Sequence, residues 1–372
     1  MGLVVAVGKW GNGALLGDFA GLGHGGGSGL VLILLSVLAT VTTIIICLNS
    51  SQLGTAARLI DRPDFGRKLH GRDTPIVGGL AMMIPALILT LVDITFFRAE
   101  PFMLAAAFAA SVVLAIGVLD DRFDLSPAWR FVALFFVVYV AFSVEPQFVV
   151  RSINMTVFGA SIALPLHSLA GPITLLMIVG FVNATNMADG MNGQFLGSVV
   201  IWTLLLLHYV PRAEVAPLIG LLCSAGAALY FNLKGRVFSG SAGAYSGALF
   251  IALCTIAVYR QTNSNLQALT VAMWFWLPVV DCLRLMTTRI LSSRSPFDGG
   301  RDHLHHVLLD LMPHRYALAS YLSLLGLPAL AAEFGPLAGQ FVLVACALVY
   351  GALISVPRAA VSLGIGNAPV RR

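Results

Sequence analysis

Apolar residues fall along this chain in long, almost unbroken stretches, with polar residues collected in the short segments between them. Eleven stretches of about 16 to 22 residues lie at roughly 29–49, 76–97, 101–119, 129–144, 162–182, 195–210, 214–231, 245–260, 267–283, 317–333 and 336–356. A helix of that length crosses a hydrocarbon core about 30 Å thick, and in lipid only a helix or a closed barrel satisfies its own backbone. The pattern therefore predicts an all-α fold, a polytopic membrane helical bundle of about eleven transmembrane helices. One segment reads differently: residues 145–161, EPQFVVRSINMTVFGAS, alternate enough to predict a short hairpin on the outer side. No internal repeat, domain linker or soluble domain interrupts the pattern. Residues 29–357 are read as one polytopic unit, with a flexible glycine-rich extracytoplasmic lead over 1–28 and a cytoplasmic tail over 358–372.

Composition agrees. The chain is 58% hydrophobic and 10% charged, with a mean hydropathy of +0.89, far from the roughly 45–50% apolar and 25% charged of soluble domains. Charge adds an orientation. Of the 22 Lys and Arg residues, only Lys9, Arg98, Arg151, Arg212 and Arg260 fall on one side of the alternation. Cytoplasmic loops carry the basic excess, so the N-terminus is expected outside and the C-terminus in the cytoplasm. The same loops account for the net charge of +5 without a nucleic-acid partner. The first residues lack a clear charged n-region, apolar h-region and cleavage site, so no signal peptide is expected. Cys47, Cys223, Cys254, Cys282 and Cys346 all lie in apolar stretches without a CxxC pair and read as small core residues.

The candidate chemistry sits in the cytoplasmic segments. In DRPDFGRKLHGRDTPIVGGLAM, residues 61–82, the cations Arg67, Lys68, His70 and Arg72 precede a span. They serve either as a positive-inside anchor or as a phosphate-binding edge. GVLDDRFDLSPAWR, residues 117–130, sets Asp120, Asp121 and Asp124 where a span meets the cytoplasm. Neighbouring carboxylates repel and lose hydration there, so the group wants a cation or a basic partner. Asp121 and Asp124 share a face if the segment is helical. NATNMADGMNG, residues 183–193, places Asn183, Asn186 and Asp189 on one helical face at membrane depth, where amides and a carboxylate must satisfy one another or a ligand.

FNLKGRVFSGSAGAYSG, residues 231–247, could present backbone N–H groups to a phosphate, or its small residues could simply pack helices closely. SRSPFDGGRDHLHHVLL, residues 293–309, gathers Arg301, His303, His305 and His306, donors suited to anionic oxygens. An HxHH run without nearby cysteines gives no tetrahedral zinc set. The intramembrane charges Asp93, Asp281 and Arg284 would suit a transporter, but Asp281 and Arg284 are spaced to pair as structural support.

These five segments, in this order over residues 55–310, resemble the polyprenyl-phosphate N-acetylhexosamine-1-phosphate transferases. That family includes the undecaprenyl-phosphate N-acetylglucosamine-1-phosphate transferases and the phospho-N-acetylmuramoyl-pentapeptide transferases, all of glycosyltransferase family 4 type. The resemblance implies attack by a polyprenyl phosphate, such as undecaprenyl phosphate, on the β-phosphate of a UDP-sugar, with release of UMP. It also implies Mg²⁺ (or Mn²⁺) as cofactor and a place in the bacterial inner membrane, with the active site on the cytoplasmic face. The product would start cell-envelope polysaccharide or other lipid-carried glycan assembly, and a homodimer is compatible with this reading.

Carried over residue by residue, the resemblance makes Asp120, Asp121, Asp189, His303, His305 and His306 catalytic, with Asp120, Asp121 and Asp189 on the metal. It assigns substrate contacts to Arg67, Lys68, His70, Asp124, Asn183, Asn186, Asn192, Asn232, Phe238, Ser241 and Arg301. Asp124 completes a DDxxD as in the N-acetylglucosamine branch, where the pentapeptide branch tends to carry Lys.

Three positions depart from the family pattern. Asn192 stands where a second Asp usually follows DG, Ser241 where the family reads GDxGS, and Gly300 where an acid usually precedes the Arg. Mg²⁺ prefers hard anionic oxygens, so the remaining carboxylates, or Asp298 and Asp302 from the last segment, must hold it. Otherwise the chain is a catalytically impaired homologue that binds lipid phosphate or UDP-sugar without turnover.

Overall fold

The computed structural model describes residues 28–62, 73–97, 100–157, 159–210, 215–261, 266–296 and 300–362. The helices are α1 (Ser28–Leu48), α2 (Ser50–Ala57), α3 (Gly78–Phe97), α4 (Pro101–Phe123), α5 (Pro127–Val144), α6 (Ala170–Ala188) and α7 (Gln194–Leu207). They continue with α8 (Val215–Leu233), α9 (Gly240–Arg260), α10 (Ala268–Leu291), α11 (Leu304–Leu311), α12 (His314–Glu333) and α13 (Pro336–Ser362). Every one of the eleven apolar stretches lies largely on a helix. Among the described residues, eight helices are long and apolar enough to cross a membrane, and a ninth span arises if α1 and α2, bent by 68°, count as one. The apolar helices over Gly78–Asp93 and Gln194–Leu207 are shorter.

Local chemistry sets the helix ends. Pro101 and Pro127 open α4 and α5, where the missing N–H costs nothing. Asp124 closes α4 in the left-handed region at φ 50°, a cap conformation that Asp tolerates.

The centre of the bundle is α9, in which every residue from Ala242 to Val258 is buried. Its first turns, GSAGAYSGA, are almost free of bulk, and neighbours close on them. A Cβ at Gly79 would lie 2.3 Å from the Gly243 backbone and 2.4 Å from the Ser239 carbonyl oxygen, so α3 meets α9 backbone to backbone. The periphery is the reverse. Phe108, Phe136, Leu176 and Leu348 stand exposed on α4, α5, α6 and α13, as lipid-facing surfaces of a membrane bundle do.

Two small sheets sit at opposite ends of α9. Near its start, β1 (Ile60–Asp61) pairs antiparallel with β2 (Thr74–Pro75), and Phe238 joins by donating its N–H to the Pro75 carbonyl at 2.9 Å. Near its far end, β3 (Ser152–Val157) and β4 (Ala160–Pro165) form a hairpin. Tyr259 Oη accepts from the Asn154 N–H at 2.8 Å and donates to the Ser152 carbonyl at 2.9 Å, clamping β3 to the bundle.

The hairpin lies later than the alternation suggested. It extends through Pro165, which moves the start of the following helix from 162 to Ala170. The reason is visible in ASIALP, where Ile162 and Leu164 alternate with small residues yet add to an apolar window. The helix then runs past the expected end at 182 to Ala188, so Asn183 and Asn186 lie on its last turns, as their spacing implied.

Candidate active site

At the end of the bundle where α9 begins lies a cavity of about 1080 Å³. Its lining combines Asp121, Asn183, Asn186, Asp189, Asn192, Asn232, Phe238, Ser241, His303, His305 and His306 from the sequence reading. Phe131 and Phe135 of α5, Leu176 and Val179 of α6, and Val279 and Leu283 of α10 supply an apolar wall. Asp120, Asp124 and Arg301 are not on the wall. Arg67, Lys68, His70 and Asp298 lie outside the described residues.

The adjacent acids of α4 have separate tasks. Asp121 crosses to the start of α9, where Oδ1 accepts from the Ser241 N–H at 2.7 Å and Oδ2 from the Ala242 N–H at 3.0 Å. These are the unpaired first-turn amides of a helix, which favour an anion. Asp120 is buried; its Oδ2 accepts from Tyr245 Oη at 3.2 Å and Arg130 at 3.4 Å, and its Oδ1 from the Leu125 N–H at 3.1 Å. Asp120 thus fixes Arg130, which does line the cavity. Asp124 is an exposed cap.

The last turn of α6 supplies a further part of the lining. Asn186 Nδ2 donates to Tyr245 Oη at 3.2 Å, while Asn183 Nδ2 is returned to the Val179 carbonyl at 2.8 Å. Asp189 ends the helix, partly open to the cavity but surrounded by protein. Burial pushes its carboxyl up to about 7, opposed by hydrogen bonds from Ser239 and the Phe195 N–H and reinforced by the negative charge of Asp121. Asn232 is a clasp: its amide holds the Gly193 N–H and donates to the Val237 carbonyl at 2.8 Å.

The histidine segment is anchored from α10. Asp281 Oδ2 receives His303 Nδ1 at 3.0 Å and the Leu304 N–H at 3.2 Å, and Oδ1 receives Arg284 at 2.8 Å and Tyr350 Oη at 2.9 Å. The expected Asp281–Arg284 pair is present. The rings of His303 and His305 stack with centroids 5.4 Å apart, and His305 lies so close to Gly190 that a Cβ there would fall 1.9 Å from Nε2. Only glycine fits beneath that ring. Burial, with His306 and His303 beside it, pushes His305 far below its ordinary value. Burial and Arg301 lower His306 to about 4. Both rings are therefore neutral at pH 7, with His306 Nδ1 buried and lacking a partner among the described residues. Arg301 itself pairs with Asp310 at 3.6 Å on the surface.

Several lining residues were not singled out from the sequence. Arg130 and Tyr245 fall within two of the candidate segments without a role of their own, and Arg289 was legible only as a member of the basic excess. Arg289 is buried, donates to the Pro296 carbonyl at 2.9 Å and has one guanidinium nitrogen without a partner among the described residues. A buried cation with an unused donor on a cavity wall suits an anionic ligand.

No group of three His, Cys, Asp or Glu side chains among the described residues forms a closed metal cage. Mg²⁺ does not need one, since one or two carboxylates plus substrate phosphates suffice. Asp121 and Asp189 both line the cavity, where burial, with a smaller contribution from Asp121, disfavours the charge on Asp189 that a bound cation would offset.

An amide- and carboxylate-rich cavity at the end of a membrane bundle, beside apolar side chains, can take a polar group and a hydrocarbon together. The chain belongs to glycosyl transferase family 4, whose family model matches residues 103–259, from α4 to the end of α9. It is 30% identical to an undecaprenyl-phosphate alpha-N-acetylglucosaminyl 1-phosphate transferase of Yersinia pestis over 68% of this chain and 69% of that protein. It is 29% identical to the protein of that name from Thermotoga maritima, over 69% of this chain and 75% of the relative. A probable undecaprenyl-phosphate N-acetylglucosaminyl 1-phosphate transferase of Bacillus subtilis is 24% identical over 76% and 78%.

Proposed function

We propose that this chain transfers a sugar-1-phosphate, an N-acetylhexosamine-1-phosphate in the first instance, from a UDP-sugar to undecaprenyl or another polyprenyl phosphate, releasing UMP. The observation that carries the reading is the two-sided cavity. Its polar lining includes Asp121, Asp189, Arg130, Arg289 and the histidines, and its apolar lining comes from α5, α6 and α10. A nucleoside diphosphate needs the first surface, and a phosphate on a long hydrocarbon needs both. Phosphoryl transfer is mainly positioning and charge neutralisation, which this site provides.

Arg130, held by Asp120 and Tyr245, and Arg289 would orient the phosphate oxygens. Asn183 and Asn186 would hold the donor's polar groups, and the apolar wall would keep water from competing with the lipid phosphate. Mg²⁺ would be held by Asp121 and Asp189, and when bound it offsets the charge that develops on the leaving phosphate. The basic excess supports eleven spans in a bacterial inner membrane with the cavity on the cytoplasmic side, so the product would begin a lipid-carried envelope glycan.

A second reading has its own observation. Asn192, Ser241 and Gly300 stand where acids are usual in the resembling family, which favours a homologue that binds and does not turn over. UMP release by the detergent-purified protein, given Mg²⁺, undecaprenyl phosphate and a panel of UDP-sugars, separates the two. Transfer by the wild type, lost in Asp121→Asn and Asp189→Asn, is the expected outcome. Activity appearing only in Asn192→Asp or Ser241→Asp would establish the binding protein instead.

A further inference from the structure

The reaction described above does not use Asp281, yet this buried carboxylate makes more contacts than any other acid near the cavity. Its two oxygens are divided. Oδ1 takes Arg284 and Tyr350, while Oδ2 takes only the Leu304 N–H and His303 Nδ1. We propose that Asp281 is a positioning residue for His303: it fixes the ring proton on Nδ1 and so leaves Nε2 as the ring atom that meets a phosphate oxygen in the cavity. The catalytic consequence rests on the transferase reading; the positioning does not.

The chemistry follows from the acceptor count. An ionised carboxylate only accepts, so a ring nitrogen 3.0 Å from Oδ2 must carry hydrogen. Arg284, at 2.8 Å from Oδ1, balances the charge of the carboxylate, and the same guanidinium donates to the Asp302 carbonyl at 2.6 Å. The residue before His303 is thereby tied to the same helix, and Leu304, after it, is tied by its amide. Three consecutive residues are held to one helix turn. A simple anchor for the segment would need only the two backbone contacts; the ring contact adds a defined tautomer. His303 then stacks on His305, which lies over Gly190 next to Asp189, so the ring's orientation bears on the carboxylate side of the cavity.

Within the transferase, Nε2 takes the remaining proton of a monoprotonated acceptor phosphate. The freed oxygen forms its bond to the donor's β-phosphorus as the bond from that phosphorus to the bridging oxygen breaks. UMP leaves with the electron pair and receives the proton from Nε2, and the ring ends neutral. No other reactant is consumed.

Two measurements test this, one of them independent of turnover. In protein labelled with ¹⁵N-histidine, the signals lost in His303→Gln should report an Nδ1–H tautomer in the wild type and in Tyr350→Phe, which removes only an Oδ1 contact. They should report Nε2–H in Asp281→Asn, whose amide can donate to Nδ1. An Nε2–H tautomer in the wild type overturns the proposal, whether or not Asp281→Asn folds and whether or not any UDP-sugar is turned over. In the kinetic arm, Asp281→Asn should lower kcat on the order of 100-fold with little change in KM for the UDP-sugar. Added to His303→Gln, it should change kcat by no more than about twofold. Independent, multiplying losses would mean that Asp281 supports the fold and does not act through His303. A wild type inactive on every UDP-sugar would count against the transferase alone, since the tautomer measurement still decides the positioning.

Discussion

Asp189 concentrates the tension of the site in one side chain. Its carboxyl titrates near 7 in the folded chain because burial, with Asp121 nearby, disfavours the charge, against about 3.9 for a solvated Asp. A raised acid favours folding fully below its unfolded pKa, and that contribution is lost as pH rises from about 4 through about 7. Asp189→Asn, which keeps the shape and removes the ionisation, should therefore raise Tm relative to wild type at pH 8 more than at pH 5, while abolishing transfer. Thermal unfolding at the two pH values reads the first effect and UMP release the second. A divalent cation held by Asp189, as proposed, would have to displace the same proton, so its affinity should weaken by about tenfold per pH unit below 7 and level off above it; calorimetric Mg²⁺ titration from pH 5.5 to 8.5 measures the slope.

At the scale of elements, the start of α9 joins stability to chemistry. Asp121 on α4 caps two of its amides, so Asp121→Ala should cost about 1–2 kcal/mol, seen as a lower Tm in addition to lost transfer. Gly79→Ala drives a Cβ into the Gly243 backbone. Because neither helix can yield by turning a side chain, this variant should fail to give a monodisperse peak in size-exclusion chromatography. The amides and acids of this region were legible in the sequence, since polar groups at membrane depth demand a reason. Their division of labour was not. Asp120 and Asp121 are neighbours in sequence, yet one holds Arg130 and the other a helix start, and that difference depends on Tyr245 and Ser241, more than a hundred residues away. Asp124 likewise matches the spacing of a shared face, but the helix ends one residue before it.

On the scale of the whole molecule, the apolar stretches marked the helices well because length and hydropathy are local quantities. They failed at residues 162–165, where an apolar strand borders a helix and hydropathy cannot distinguish the two. Sidedness is the remaining global property, and α9 makes it testable: the hairpin lies at its far end and the cavity at its start. With the five cysteines replaced, Ser161→Cys on exposed β4 and Asp124→Cys at the end of α4 report the two ends. The basic excess argues that an impermeant maleimide added to intact cells will label Ser161→Cys, and that Asp124→Cys will react only after permeabilisation. The reverse pattern would place the cavity outside. A UDP-sugar donor made in the cytoplasm could not then reach Asp121 and Asp189 without first crossing the membrane, and the transferase reading would give way to one that binds lipid phosphate from the outer side.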